Sequence, residues 1–269
     1  VSYLWKALPK SNVGSKFDKN LFIKNWKFVS GVMGISLGTV LLTQIDKVIL
    51  SKMLTLEVFS YYMLATTVAT VIMSLVSPIH TALFPRLSQL VVKKDEVGIS
   101  DLYHRGCQLA SIIILPISIT MIFFSKEILS TWIGDPTVVN NTHILLSLLI
   151  VGTTIKAYMT LPYTLQLAHG WTKLAFYKNV IAVIIIIPSM LWAAQMYQGI
   201  GAAWVLIILY LGLLIFEIII MHKRILKGNM RERYGYDVFI PILIVSIIGL
   251  AAHEIHDIFP IDVSEAVTA

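Results

Sequence analysis

Among the charged residues in or at the ends of apolar runs of this 269-residue chain, four bear on function: Asp46, Lys47, Lys156 and Glu217. A charge at the centre of a bilayer costs about 2.5–3.5 kcal/mol on insertion scales, so such residues turn to a bundle interior or a watery cavity. Lys156 is near the middle of the run 143–168, where snorkelling to water reaches least. Drawn as a helix, its face also carries Gly152, Thr153, Thr160 and Tyr163, just before Pro162. An ammonium in a protected cavity can hold a phosphate or a carboxylate; the alternative is an ion pair with Asp46 or Glu217.

The run 28–50 is patterned in the same way. Ser36, Thr39, Thr43, Asp46 and Lys47 fall within an arc of about 100° at helical periodicity, with Gln44 beside them. Gly31, Gly34 and Gly38 form a small-residue face opposite, fit for close helix packing. One face can therefore pack while the other lines a polar cavity. The plainer alternative for Asp46 and Lys47 is snorkelling, since both are close to the end of the run. The candidate binding set is Lys156, Asp46, Lys47, Gln44, Thr43, Thr39, Thr160 and Tyr163.

Other polar residues have local explanations beside functional ones. Glu217 can pair with Arg224 or Lys178, or hold a coupling ion. His80 titrates near neutral pH if free, but a lone histidine is commonly a satisfied structural residue. Gln108, Ser111 and Ser118 share one helical face, to line the cavity or to bond helix to helix. The sequence contains no G-x-x-x-x-G-K and no H-E-x-x-H. We therefore expect no catalytic residues, no metal site and no cofactor. The single cysteine, Cys107, precludes an internal disulfide.

The elements that position these residues are membrane helices. Apolar residues make up 57% of the chain and charged ones 13%, against about 45–50% and about 25% in soluble domains. Seven runs are long and apolar enough to span: 28–50, 58–84, 106–124, 143–168, 175–197, 200–221 and 237–254. None alternates like a barrel strand. Pro78, Pro116, Pro162 and Pro188 fall inside them, as membrane helices tolerate. The fifth and sixth runs are joined through Gln198 and Gly199, which demands an antiparallel hairpin.

Charge orients the bundle. Alternate connections hold 17 of the 21 lysines and arginines and the others hold 2, with Lys47 and Lys156 inside runs. By the positive-inside rule residue 1 is cytoplasmic. Basic residues spread over loops in this way do not make a nucleic-acid face, so no nucleic-acid partner is expected. The expected organisation is a linker at 1–27 with a surface helix near 17–27, a six-helix lobe at 28–221, a basic loop at 222–236, a seventh helix at 237–254 and an outward tail at 255–269. Trp26, Tyr61, Tyr62, Trp132, Trp171, Tyr177 and Tyr197 read as an interfacial aromatic belt, or in one or two cases as sugar-stacking residues.

Several stretches then resemble, in order, the second half of Wzx-type oligosaccharide flippases: residues 43–51 (Thr43-Gln44-Ile45-Asp46-Lys47 and on to Ser51) with Tyr61-Tyr62, and residues 82–90 around Phe84-Pro85-Arg86. Trp132-Ile133-Gly134, residues 166–170 and residues 199–203 continue the series, so that the resemblance covers about residues 20–225. It implies membership of the multidrug/oligosaccharidyl-lipid/polysaccharide exporter superfamily, whose members set two six-helix lobes around a central cavity. It implies that the first six spans here are the C-terminal lobe and that the seventh is an added helix. The N-terminal lobe is then missing from this chain, which alone should not transport. The implied activity is flipping of undecaprenyl-pyrophosphate-linked oligosaccharide across the bacterial inner membrane by alternating access. The implied partners are that lipid-linked substrate, membrane lipids, the missing lobe and a polysaccharide polymerase complex. Two other readings stay open: an ion-coupled multidrug exporter of the same superfamily, and a non-transporting scaffold for polysaccharide synthesis.

Overall fold

The computed structural model describes residues 19–226, 238 and 240–258. Among the described residues the chain is an all-α bundle with no strand. The helices are α1 (Lys19–Met53), α2 (Leu56–Ala69), α3 (Val71–Lys93), α4 (Glu96–Phe123), α5 (Ser125–Ile133), α6 (Pro136–Ala168), α7 (Thr172–Arg224) and α8 (Ile240–Ile258).

Short capped turns reverse the chain. Asp95 caps α4 by accepting the Gly98 N–H at 2.8 Å, after Lys94 closes α3 in the left-handed region. Asp135 caps α6 by accepting the Thr137 N–H at 2.8 Å, with Pro136 at the first helical position. Gly134, at φ 73°, ends α5, a conformation glycine adopts without a Cβ clash.

α7 is two helical legs joined at a sharp break at Gln198, where φ is 51° and ψ is −135°. The two legs, α7a (172–197) and α7b (199–224), fold back on each other. Lys178 and Glu217 are 2.7 Å apart, whereas a straight helix would separate them by about 60 Å. The hairpin expected at Gln198-Gly199 is thus present.

Five helical stretches are long and apolar enough to cross a membrane: Val29–Met53, Leu56–Lys93, Glu96–Phe123, Pro136–Ala168 and Thr172–Arg224. Both legs of the last are of spanning length, and α8 adds the shorter apolar stretch Ile240–Ile255. With the two legs counted separately, six of the seven expected runs are of spanning length, and α8 occupies the place of the seventh with a shorter apolar stretch. Large apolar side chains such as Ile112, Ile184 and Ile208 are exposed around the outside, as lipid contact requires.

Helix ends differ from the apolar runs. The second run is two helices meeting at Thr70. α4 starts at Glu96 rather than 106 and α6 at Pro136 rather than 143, because polar caps and not hydropathy set where a helix begins. The short helix α5 occupies the connection before α6. At the start, the expected linker is already helical from Lys19, continuous with α1, and residues 1–18 fall outside the described residues. The loop expected at 222–236 is described only to Leu226, and the tail expected from 255 is helical to Ile258.

α6 is central and packs against α2, α3, α4, α5 and α7. α1 packs on α7a through its glycine face. A Cβ built on Gly34 would be 3.0 Å from the Phe176 ring, and one on Gly38 would be 3.0 Å from the Asn179 Cβ. The paired positions ascend together in sequence, so α1 and α7a run parallel, as first and fifth passes must. Ser111 and Ser118 bond α4 to α6: Tyr158 donates to Ser111 at 2.9 Å and Thr154 to Ser118 at 2.8 Å. Gln108 on the same helix is exposed.

Candidate functional site: two adjoining cavities around Lys156

Two cavities, of about 160 Å³ and about 480 Å³, open between α1, α6 and α7b. They share Leu42, Thr43, Met73, Lys156 and Tyr210 as a common wall. Thr43, Gln44, Asp46, Lys47 and Lys156 line the smaller one. Thr39, Thr43, Lys156, Thr160 and Tyr163 line the larger. The two cavities therefore bring together all eight residues of the candidate set, from two helices distant in sequence.

Lys156 is central to this geometry. Its Nζ lies over the Tyr210 ring, 5.5 Å from the centroid, a cation–π contact. Among the described residues it makes no ion pair. The alternative of a pair with Glu217 does not hold, because Glu217 is held elsewhere. Lys178 Nζ reaches Glu217 Oε2 at 2.7 Å and Gln166 Nε2 reaches Oε1 at 2.7 Å, all three side chains being buried. The local-partner reading of Glu217 holds, with Lys178 and not Arg224 as the partner. Arg224 instead stacks on Trp171 at 4.3 Å. Lys178, counted by sequence among the loop cations, is thereby corrected to a buried ion-pair residue that also lines the larger cavity.

Asp46 is buried, not snorkelled. Its Oδ2 accepts the Tyr62 hydroxyl at 2.6 Å, while Oδ1 has no hydrogen-bond partner among the described residues. Tyr62 is fully buried, which removes it from the expected aromatic belt. Its hydroxyl is spent on a carboxylate instead of the lipid interface. Trp26, Trp132, Tyr177 and Tyr197 are exposed, as belt residues are. Lys47 and Thr43 are half-buried, and Gln44 and Thr39 are exposed. Asn179 on α7a donates to Thr39 Oγ1 and to the Ile35 carbonyl, both at 3.1 Å. That amide ties the polar stripe of α1 to its packing partner.

His80 bonds Thr164 through Nδ1 and stacks beside Phe84 and Tyr163, each centroid 6.2 Å away. It is a satisfied wall residue of the larger cavity. Sequence reading missed Tyr210, Thr66, Thr70 and Asn179 as cavity residues. Tyr210 carried a usable signal, a hydroxyl in the middle of an apolar run. The threonines carried one too, since Thr66, Thr70, Ser74, Ser77 and Thr81 fall within an arc of about 80° at helical periodicity.

The wall carries Lys156, without an ion pair among the described residues, Lys47 at the smaller cavity, Lys178 paired with Glu217 at the larger, the half-satisfied carboxylate of Asp46, and hydroxyls and amides along the side. Such a lining suits an anionic group joined to a hydroxyl-rich one.

A family model described as "Polysaccharide biosynthesis protein" matches residues 3–139, just over half of the chain. A protein of Shigella flexneri named "Putative O-antigen transporter" is 22% identical over 187 residues, taking in 70% of this chain and 43% of that protein. The chain thus spans less than half the length of this curated relative. No solved structure matches.

Proposed function

The chain belongs to the polysaccharide biosynthesis protein family, and on that premise we propose that it is one lobe of a transporter that flips undecaprenyl-pyrophosphate-linked oligosaccharide across the bacterial inner membrane. The resemblance to Wzx-type flippases carried by residues 43–51, 82–90 and 199–203 agrees with that membership. The observation that carries the proposal is Lys156, an ammonium with no ion pair among the described residues, on the shared wall of both cavities. In this reading Lys156 and Lys47 attract the pyrophosphate. Thr39, Thr43, Gln44, Asp46, Thr160 and Tyr163 exchange hydrogen bonds with sugar hydroxyls. A second lobe completes the far side of the cavity, and alternating access carries the cargo outward. Residue 1 is cytoplasmic.

A cationic wall opposes cationic cargo, and Glu217, the carboxylate a drug exporter could have used, is neutralised by Lys178. These two facts favour the flippase over the multidrug exporter. A polymerase complex would act on the product.

The test uses the intact gene in its own host. Deletion should trap lipid-linked glycan on the inner leaflet and abolish surface polymer. Wild type should restore both, Lys156→Arg should restore them in part, and Lys156→Ala should not. Full restoration by well-expressed Lys156→Ala would remove Lys156 from the site, and unchanged glycans on deletion would remove the flippase assignment.

A further inference from the structure

We propose that the basic end of the bundle carries a binding site for the phosphoethanolamine headgroup of a membrane phospholipid. It is separate from the two central cavities and independent of the cargo they take.

A pocket of about 430 Å³ opens where the start of α4, the α6–α7 turn and the end of α7b meet. That size is in the range of small-molecule sites. Its wall holds Glu96, His169, Trp171 and Arg224. The Arg224 guanidinium carbon lies over the Trp171 ring, 4.3 Å from its centroid, a cation–π contact that leaves its N–H donors available among the described residues. Among the described residues Arg224 makes no ion pair, and neither does Glu96. Two opposite charges thus face one pocket without meeting each other. A ligand with its own pair of opposite charges satisfies both.

The turn is built to present these groups. Gly170, at φ 66°, reverses the chain, and nothing lies within 4 Å of where its Cβ would be. His169 donates through Nδ1 to the Leu165 carbonyl at 2.9 Å. In the neutral ring that leaves Nε2 as an acceptor. The pocket therefore offers two acceptors, Glu96 and His169, and one multivalent donor, Arg224. A phosphate takes the guanidinium edge. A primary ammonium, with three N–H donors, takes the carboxylate and the imidazole.

The place fits the same ligand. Lys93, Lys94, Lys173 and Lys223 are exposed at this end, and helix ends flanking long apolar stretches lie at headgroup level. A purely anionic headgroup would satisfy Arg224 but put a like charge against Glu96. A choline headgroup carries the charge without any N–H to donate.

The experiment takes the full chain in detergent. It measures retention of palmitoyl-oleoyl phosphatidylethanolamine, phosphatidylcholine and phosphatidylglycerol, offered as an equimolar mixture, by native mass spectrometry. The expected result is ethanolamine lipid retained about tenfold over choline lipid, the weight of one charge-assisted hydrogen bond. Glu96→Gln should lower that preference and raise retention of the glycerol lipid. Arg224→Gln should lower all three, since each carries the phosphate. Equal retention of ethanolamine and choline lipids by the wild-type chain overturns the proposal, and so does glycerol lipid ranked first. A preference undiminished by Glu96→Gln overturns it as well. The wild-type comparison needs no variant and decides by itself if either substitution impairs folding.

Discussion

Lys178 and Glu217 meet at 2.7 Å from opposite legs of α7, nearly equidistant in sequence from the turn at Gln198. The carboxylate is completed by Gln166 of α6, also at 2.7 Å. One buried group thereby holds three helices around the larger cavity. Removing one partner of such a pair costs about 3–5 kcal/mol, because it strands the other charge away from water. Glu217→Ala should therefore lower the melting temperature steeply. The double change Lys178→Met with Glu217→Leu should recover much of the loss. A double variant no better than Glu217→Ala would show that the pair is not what holds the hairpin.

The contact between α1 and α7a depends on Gly38. Valine there would place atoms against the Asn179 side chain, already at 3.0 Å from a built Cβ. Overpacking of this kind costs about 1–3 kcal/mol. Gly212, with nothing within 4 Å, is the matched control and should tolerate valine. Thermal unfolding in detergent measures both, and equal effects at the two glycines would contradict the packing described.

Tyr62→Phe removes a hydroxyl and little else. Asp46 would keep its burial and lose the partner on Oδ2, leaving both oxygens without a hydrogen bond among the described residues. The expected cost is about 1.5–3 kcal/mol, that of a hydrogen bond to a charged group. Asp46→Asn in the same background should recover part of it. Unfolding curves of the two single variants and the double variant test this.

Water access distinguishes the cavity wall from the core. Cysteine at 156 or 160 should react with a water-borne methanethiosulfonate reagent under conditions that leave buried Cys107 unmodified. Mass spectrometry of the intact chain reads the added groups. Silence at both positions would mean that the cavities do not communicate with solvent.

The polar stripe of α1 was legible in the sequence because a helix repeats its faces every 3.6 residues. The same rule gave the Lys156 face and the glycine face opposite the stripe. What periodicity cannot give is which distant helix completes a residue. Tyr62 read as a belt tyrosine because its partner, Asp46, belongs to another helix. Lys178 read as a loop cation because a lysine near the end of an apolar run looks the same whether it snorkels or pairs. Tyr210 was passed over for the same reason, since its role exists only opposite Lys156. The short helix α5 escaped because it is too short to leave an apolar run of its own.

The turn at Gln198 has a genetic consequence. Only one residue there leaves helical geometry, so nothing between Lys178 and Glu217 can absorb a change in length. Inserting or deleting a single residue in α7b before Glu217 would rotate everything beyond it by about 100°. The carboxylate would then point away from both Lys178 and Gln166. The hairpin should therefore tolerate substitutions along its length but insertions and deletions only at its ends.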